Sequence, residues 1–81
     1  MTTQEDVKRW LNEAKERKAK FMIVVVDTFD YEDYPVFCLT AEECLEKSRN
    51  PGQMQRIMEV YDLSLDLDTQ VNERRAYHLP A

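Results

Sequence analysis

The chain has 81 residues, with 11 Lys and Arg against 16 Asp and Glu, giving a formal net charge of −5. Its 43 % hydrophobic and 33 % charged residues match a folded domain rather than a disordered chain. One Gly and three Pro exclude collagen-like, low-complexity and Gly-rich phosphate-loop architectures.

The first helix is expected to start at Thr2 or Thr3 as cap, with Glu5 and Asp6 in the turn where the helix dipole favours negative charge. Val7, Trp10, Leu11 and Ala14 keep the i, i+3, i+4, i+7 spacing of a one-faced helix. Lys15, Arg17, Lys18 and Lys20 close it with the sign the dipole prefers there.

The run 21–26, Phe-Met-Ile-Val-Val-Val, is continuous and β-branched, which suits a strand central in a sheet or buried on both faces. A second strand runs from Pro35 to Leu39, and Pro35, lacking an N–H, belongs at a strand start or on a sheet edge. The short connection between them predicts a hairpin.

Thr40-Ala-Glu-Glu reads as a capping box opening a short helix that buries Ala41, Cys44 and Leu45 and stops at Asn50-Pro51-Gly52. Met54, Ile57, Met58 and Tyr61 stand at helical spacing and predict another helix with these residues in its core. Leu63, Leu65 and Leu67 alternate with polar residues as a short linker. A last helix is expected from about Asp66 to Tyr77, closed by Arg74 and Arg75.

The expected fold is α+β in a single domain, residues 1–81: an N-terminal helix, a β-hairpin, then two or three helices packed against one face of a small antiparallel sheet. A domain this size buries only about 60–65 % of its unfolded surface. Two strands are marginal alone, and the 21–26 run is too apolar for a strand with one wet face. A homo-oligomer in which two subunits cover each other follows as an expectation.

Several chemistries lack their residues. The longest apolar run falls far short of the roughly 20 residues a membrane span requires. Met1-Thr-Thr-Gln-Glu-Asp shows no basic n-region, which predicts no signal peptide and a cytoplasmic location. Cys38, Cys44 and the single His78 do not make a four-ligand zinc set, and the two thiols are expected as buried small residues. No triad, Walker or HExxH pattern is present. An enzyme would require a carboxylate of the 27–33 segment beside His78, and no catalytic residue and no cofactor are assigned. With no basic stripe or RNP-like aromatic motif, direct nucleic-acid binding is disfavoured.

The least ordinary stretch is 27–34, which packs four acids and three aromatics into eight positions. Asp27, Asp30 and Asp33 lack the order and the Gly of an EF-hand loop, so no metal is assigned. Two arrangements of the rings remain open. Phe29, Tyr31 and Tyr34 either fold back on the core while the acids are solvated, or stand out as a recognition surface in which rings stack and acids accept hydrogen bonds. In the second case Phe29, Asp30, Tyr31, Asp33 and Tyr34 are the candidate ligand-binding residues. Arg56, Arg74 and Arg75 are then the cations available for phosphates.

The runs 22–36, Met-Ile-Val-Val-Val-Asp-Thr-Phe-Asp-Tyr-Glu-Asp-Tyr-Pro-Val, and 54–63, Met-Gln-Arg-Ile-Met-Glu-Val-Tyr-Asp-Leu, together with the closing 72–79, Asn-Glu-Arg-Arg-Ala-Tyr-His-Leu, resemble small uncharacterised proteins encoded in bacteriophage and bacterial genomes. The resemblance implies no activity, but it implies a phage-encoded accessory protein that works by binding. The leading expectation is that it sequesters a nucleotide-type small molecule or signal; the alternative is an acidic interaction inhibitor that occludes a host protein surface.

Overall fold

The computed structural model describes residues 3–49, 55–73 and 76–78. Helix α1 spans Gln4–Glu16. Thr3 caps it: its Oγ1 accepts from the Asp6 amide at 3.2 Å, and the Asp6 carboxylate accepts from the Thr3 amide at 3.1 Å. The hydrogen bond from the Thr3 amide, with the Thr3 side chain and Arg9 nearby, holds the Asp6 carboxyl below its ordinary range. Val7, Leu11 and Ala14 form the buried stripe, with Trp10 half-buried beside them.

The helix ends in a Schellman motif. The Ala19 amide reaches the Ala14 carbonyl at 2.9 Å and the Lys18 amide reaches the Lys15 carbonyl at 3.0 Å. Lys18 takes the left-handed position at φ 59°, which glycine usually fills.

Strands β1 (Phe21–Asp27), β2 (Asp33–Cys38) and β3 (Gln55–Asp62) form one antiparallel sheet in the order β2-β1-β3. β1 is central, as its continuous apolar run requires. Pro35 sits on the edge strand β2, where its missing donor costs no ladder bond.

Helices cover both faces of the sheet, not one. Met22 and Val24 face α1 and α3, joining Val7, Leu11, Ala14, Tyr61 and Val71. Phe21, Ile23 and Val25 face the other way, with Cys38, Val60 and Cys44 of α2 (Ala41–Arg49). The run that suggested a second subunit is thus buried within one chain, and its burial does not require a partner.

The stretch expected as a helix around Ile57, Met58 and Tyr61 is strand β3. The reason lies in a bulge. Val24 pairs with Glu59 but Val25 pairs with Ile57, so Met58 is an extra residue in the ladder. The insertion puts Ile57 and Val60 on the same face although three residues apart, and that spacing mimics a helical stripe. Met54 and the Asn50-Pro51-Gly52 stop lie outside the described residues.

Thr40 opens α2, accepting from the Glu43 amide at 3.1 Å. The Glu43 carboxylate pairs forward with Lys47 at 3.4 Å. Cys44 is the buried residue of this helix; Leu45 is half-buried and Ala41 exposed.

Helix α3 is shorter than the expected 66–77 and spans Leu67–Asn72, capped by Asp66, whose Oδ1 accepts from the Asp68 amide at 3.2 Å. The chain leaves the helix at Glu73 and returns to β3. Val60 donates to the Ala76 carbonyl at 2.9 Å and accepts from the His78 amide at 3.0 Å, making a parallel bridge with Tyr77. Buried Gln70 fastens α3 to the end of β3. Its Oε1 accepts from the Asp62 amide at 2.8 Å, and its Nε2 donates to the Asp62 carbonyl at 2.8 Å. Among the described residues no helix is long and apolar enough to cross a membrane.

Candidate interaction site at the hairpin tip

Residues 28–32 join β1 to β2, and backbone bonds close the turn: the Asp27 amide donates to the Glu32 carbonyl at 2.9 Å and the Tyr31 amide to the Asp27 carbonyl at 2.6 Å. Two aspartates brace it from within. Asp27 Oδ1 accepts from the Phe29 amide at 2.8 Å, and Asp30 Oδ1 accepts from the Glu32 amide at 3.0 Å. Asp does this well because its short side chain reaches the amide two residues on. The turn places Tyr31 in the left-handed region at φ 59°, a costly conformation for a bulky residue.

The two open arrangements are divided among the three rings. Phe29 and Tyr31 are each 76 % exposed, on the outside of the turn. Tyr34 is half-buried and packs on the α2 side of the sheet, where its hydroxyl accepts from Gln55 Nε2. Strand alternation explains the split: Tyr34, Val36 and Cys38 share the α2 face, whereas 29 and 31 precede the strand.

The structure brings most of the candidate residues to one end of the sheet. Asp30 is exposed at the tip. Asp33 starts β2 opposite Val26, and Val26 pairs on its other side with Arg56, so Asp33 and Arg56 flank one position at the base of the turn. Arg56 is exposed and enters none of the ion pairs of the described residues. The same holds for Asp27, Asp30 and Glu32. Arg74 and Arg75 lie outside the described residues. Asp27 and Glu32, absent from the candidate list, hold the turn closed; the Asp-x-aromatic and Asp-x-Glu spacings are their sequence signal.

The remaining reactive groups are placed elsewhere. His78 Nε2 lies 3.1 Å from Glu73, not beside a carboxylate of the 27–33 segment. Cys38 and Cys44 are buried in the same core cluster. Burial raises both thiols above their ordinary range, Cys44 to about 12, so neither is a ready nucleophile. The Tyr61 hydroxyl donates to Glu59, and burial and that carboxylate push its pKa up. Among the described residues no three His, Cys, Asp or Glu side chains are arranged to hold a metal ion.

No protein-family model matches the chain, and no similar curated protein or solved structure was found.

Proposed function

We propose that the chain is a non-enzymatic binding protein, an accessory factor of the kind phages carry, that docks its hairpin tip on a basic surface of another protein. The exposure of Phe29 and Tyr31 on a turn braced by its own aspartates carries this reading. Aromatic rings held in place bring large contact area at small entropic cost, and such anchors dominate interface energies. The surrounding Asp27, Asp30, Glu32 and Asp33 steer the tip toward positive charge.

Sequestration of a nucleotide-type molecule is the second reading. Arg56, at the base of the turn, favours it, because a phosphate there would lie near rings able to stack on a base. Two features weigh against it. The rings project outward, whereas small-molecule sites are concave, and among the described residues four acids of the turn stand against Arg56 at its base.

Capture from bacterial lysate, with the wild-type chain and the Phe29→Ala/Tyr31→Ala variant as baits, tests the proposal. A basic protein is expected on the wild type, released by high salt and retained at least 30-fold less by the variant, since an anchor is worth about 2 kcal/mol or more. Equal capture by both baits overturns the docking role of the tip. Native mass spectrometry of the purified chain decides for sequestration if each copy retains a few hundred daltons of ligand.

A further inference from the structure

Rings and carboxylates alternate along the hairpin tip in the order Phe29, Asp30, Tyr31, Glu32. Both rings are open to solvent, and Asp30 and Glu32 are exposed beside them. The turn occupies one oxygen of Asp30, which accepts from the Glu32 amide, and neither carboxylate enters an ion pair among the described residues. The charge of this end is one-sided: among the described residues Asp27, Asp30, Glu32 and Asp33 stand against Arg56 at the base of the turn. The tip is therefore half of a cation-binding surface, and its rings decide which cation fits.

A lysine ammonium is a compact, strongly hydrated charge for which a carboxylate alone is a sufficient partner. A guanidinium is planar and less hydrated. Its fork donates two parallel hydrogen bonds to a carboxylate while its flat face lies on a ring. A surface that sets a ring next to each carboxylate thus suits arginine better than lysine. The chain holds the complete arrangement elsewhere. Arg17 lies over Phe37, 4.9 Å from the ring centroid, while its Nη2 donates to Glu13 at 2.9 Å. Lys47, the lysine that enters an ion pair among the described residues, meets Glu43 at 3.4 Å without a ring beneath it.

We infer that the tip selects arginine: the partner presents a guanidinium that stacks on Phe29 or Tyr31 and donates to the carboxylate of Asp30 or Glu32. This rests on the reading of the tip as a docking element, and it narrows the partner from a basic surface to an arginine-bearing one. Two kinds of side chain then divide the work. The carboxylates attract either cation and set the salt dependence, while the rings supply the discrimination against lysine.

Oligo-arginine and oligo-lysine peptides of equal length, titrated into the full chain and followed by backbone amide shifts in NMR, test this. The arginine peptide is expected to bind about tenfold more tightly, with the shifts centred on Phe29, Asp30, Tyr31 and Glu32. In Phe29→Leu/Tyr31→Leu, which keeps apolar bulk but removes both π faces, the arginine peptide should fall to the level of the lysine peptide. Asp30→Asn/Glu32→Gln should weaken both peptides and leave arginine ahead. Each variant is checked for native circular dichroism, and if the leucine pair misfolds, Phe29→Ala/Tyr31→Ala replaces it. Equal affinity of the wild type for the two peptides, no binding of either, or a preference that survives the loss of the rings overturns the inference. If the peptides are not distinguished while the Phe29→Ala/Tyr31→Ala bait still loses lysate capture, the arginine preference fails and the docking role of the tip stands. If capture is also unchanged, both fail.

Discussion

Lys18 and Tyr31 adopt the same left-handed backbone, each at φ 59°, at opposite ends of β1. At Lys18 the conformation serves the fold. It closes the Schellman motif that lays Ala19 against Ala14 in the core, and it starts the chain on the row where Gln70 fastens Asp62. At Tyr31 the described hydrogen bonds that close the turn are all local, among residues 27–32, and the ring stays in solvent. The same local penalty thus has two different returns. One end uses it to bury a residue; the other uses it to hold two rings out of the core. Strain that serves no packing is the more informative, since it points to a demand from outside the chain.

Alkali should break the two-ended picture most strongly, because buried acids gather in the first rows of the sheet. Cys38 pairs with Phe21, Tyr61 pairs with Met22, and Cys44 touches Cys38. Burial raises all three pKa values in the folded state, while the unfolded chain releases these protons from about pH 9 for the thiols and about pH 10 for the phenol. Above those values the unfolded state binds fewer protons than the folded one, so stability falls as pH rises. Denaturant midpoints are expected to hold steady to about pH 8 and then drop, with a loss of a few kcal/mol by about pH 11. In Tyr61→Phe the part of the loss that sets in above pH 10 should shrink. A midpoint that stays flat to pH 11 contradicts the burial of these groups.

Gln70→Ala comes next in size. It leaves the Asp62 amide and carbonyl without their side-chain partner at a covered position, and the expected loss is about 2–3 kcal/mol by chemical denaturation. Phe29→Ala/Tyr31→Ala should change stability by less than about 0.5 kcal/mol, since both rings are solvated in the native chain. If the double substitution costs as much as Gln70→Ala, the tip belongs to the core and the contrast between the two ends collapses.

How far these features were legible follows from how local they are. Helix α1, the hairpin and the Thr40 cap each depend on residues within about one turn of each other, and each is written in spacing and cap chemistry. Strand β3 is not, because a single inserted residue, Met58, converts its alternation into a helix-like pattern. One further misreading descends from that one. Without β3 there was no edge for residues 76–78 to join, so the closing segment looked like more helix. The burial of 21–26 appeared to need another subunit for a different reason: helices were expected on one face of the sheet, whereas α1 and α3 cover one face and α2 the other. At the candidate site the acids and rings were legible as unusual, but whether a ring faces in or out depends on strand alternation past Asp33, which sends Tyr34 inward while 29 and 31 remain on the turn.

Glycine at the two left-handed positions gives the smallest and sharpest comparison. A left-handed residue with a Cβ costs about 1–2 kcal/mol, and glycine returns about 0.5–1 kcal/mol of that as extra freedom in the unfolded chain. Lys18→Gly should therefore stabilise the fold by up to about 1 kcal/mol. Tyr31→Gly should stabilise it by the same small amount, and it should also weaken tip-dependent capture at least tenfold. Paired denaturation and capture measurements read both numbers. The decisive outcome is the sign at Tyr31. If removing its ring relaxes the backbone and raises stability, the chain bears a strained aromatic that its own fold does not use. If stability falls, the ring is part of the fold after all, and the tip has to be explained as packing.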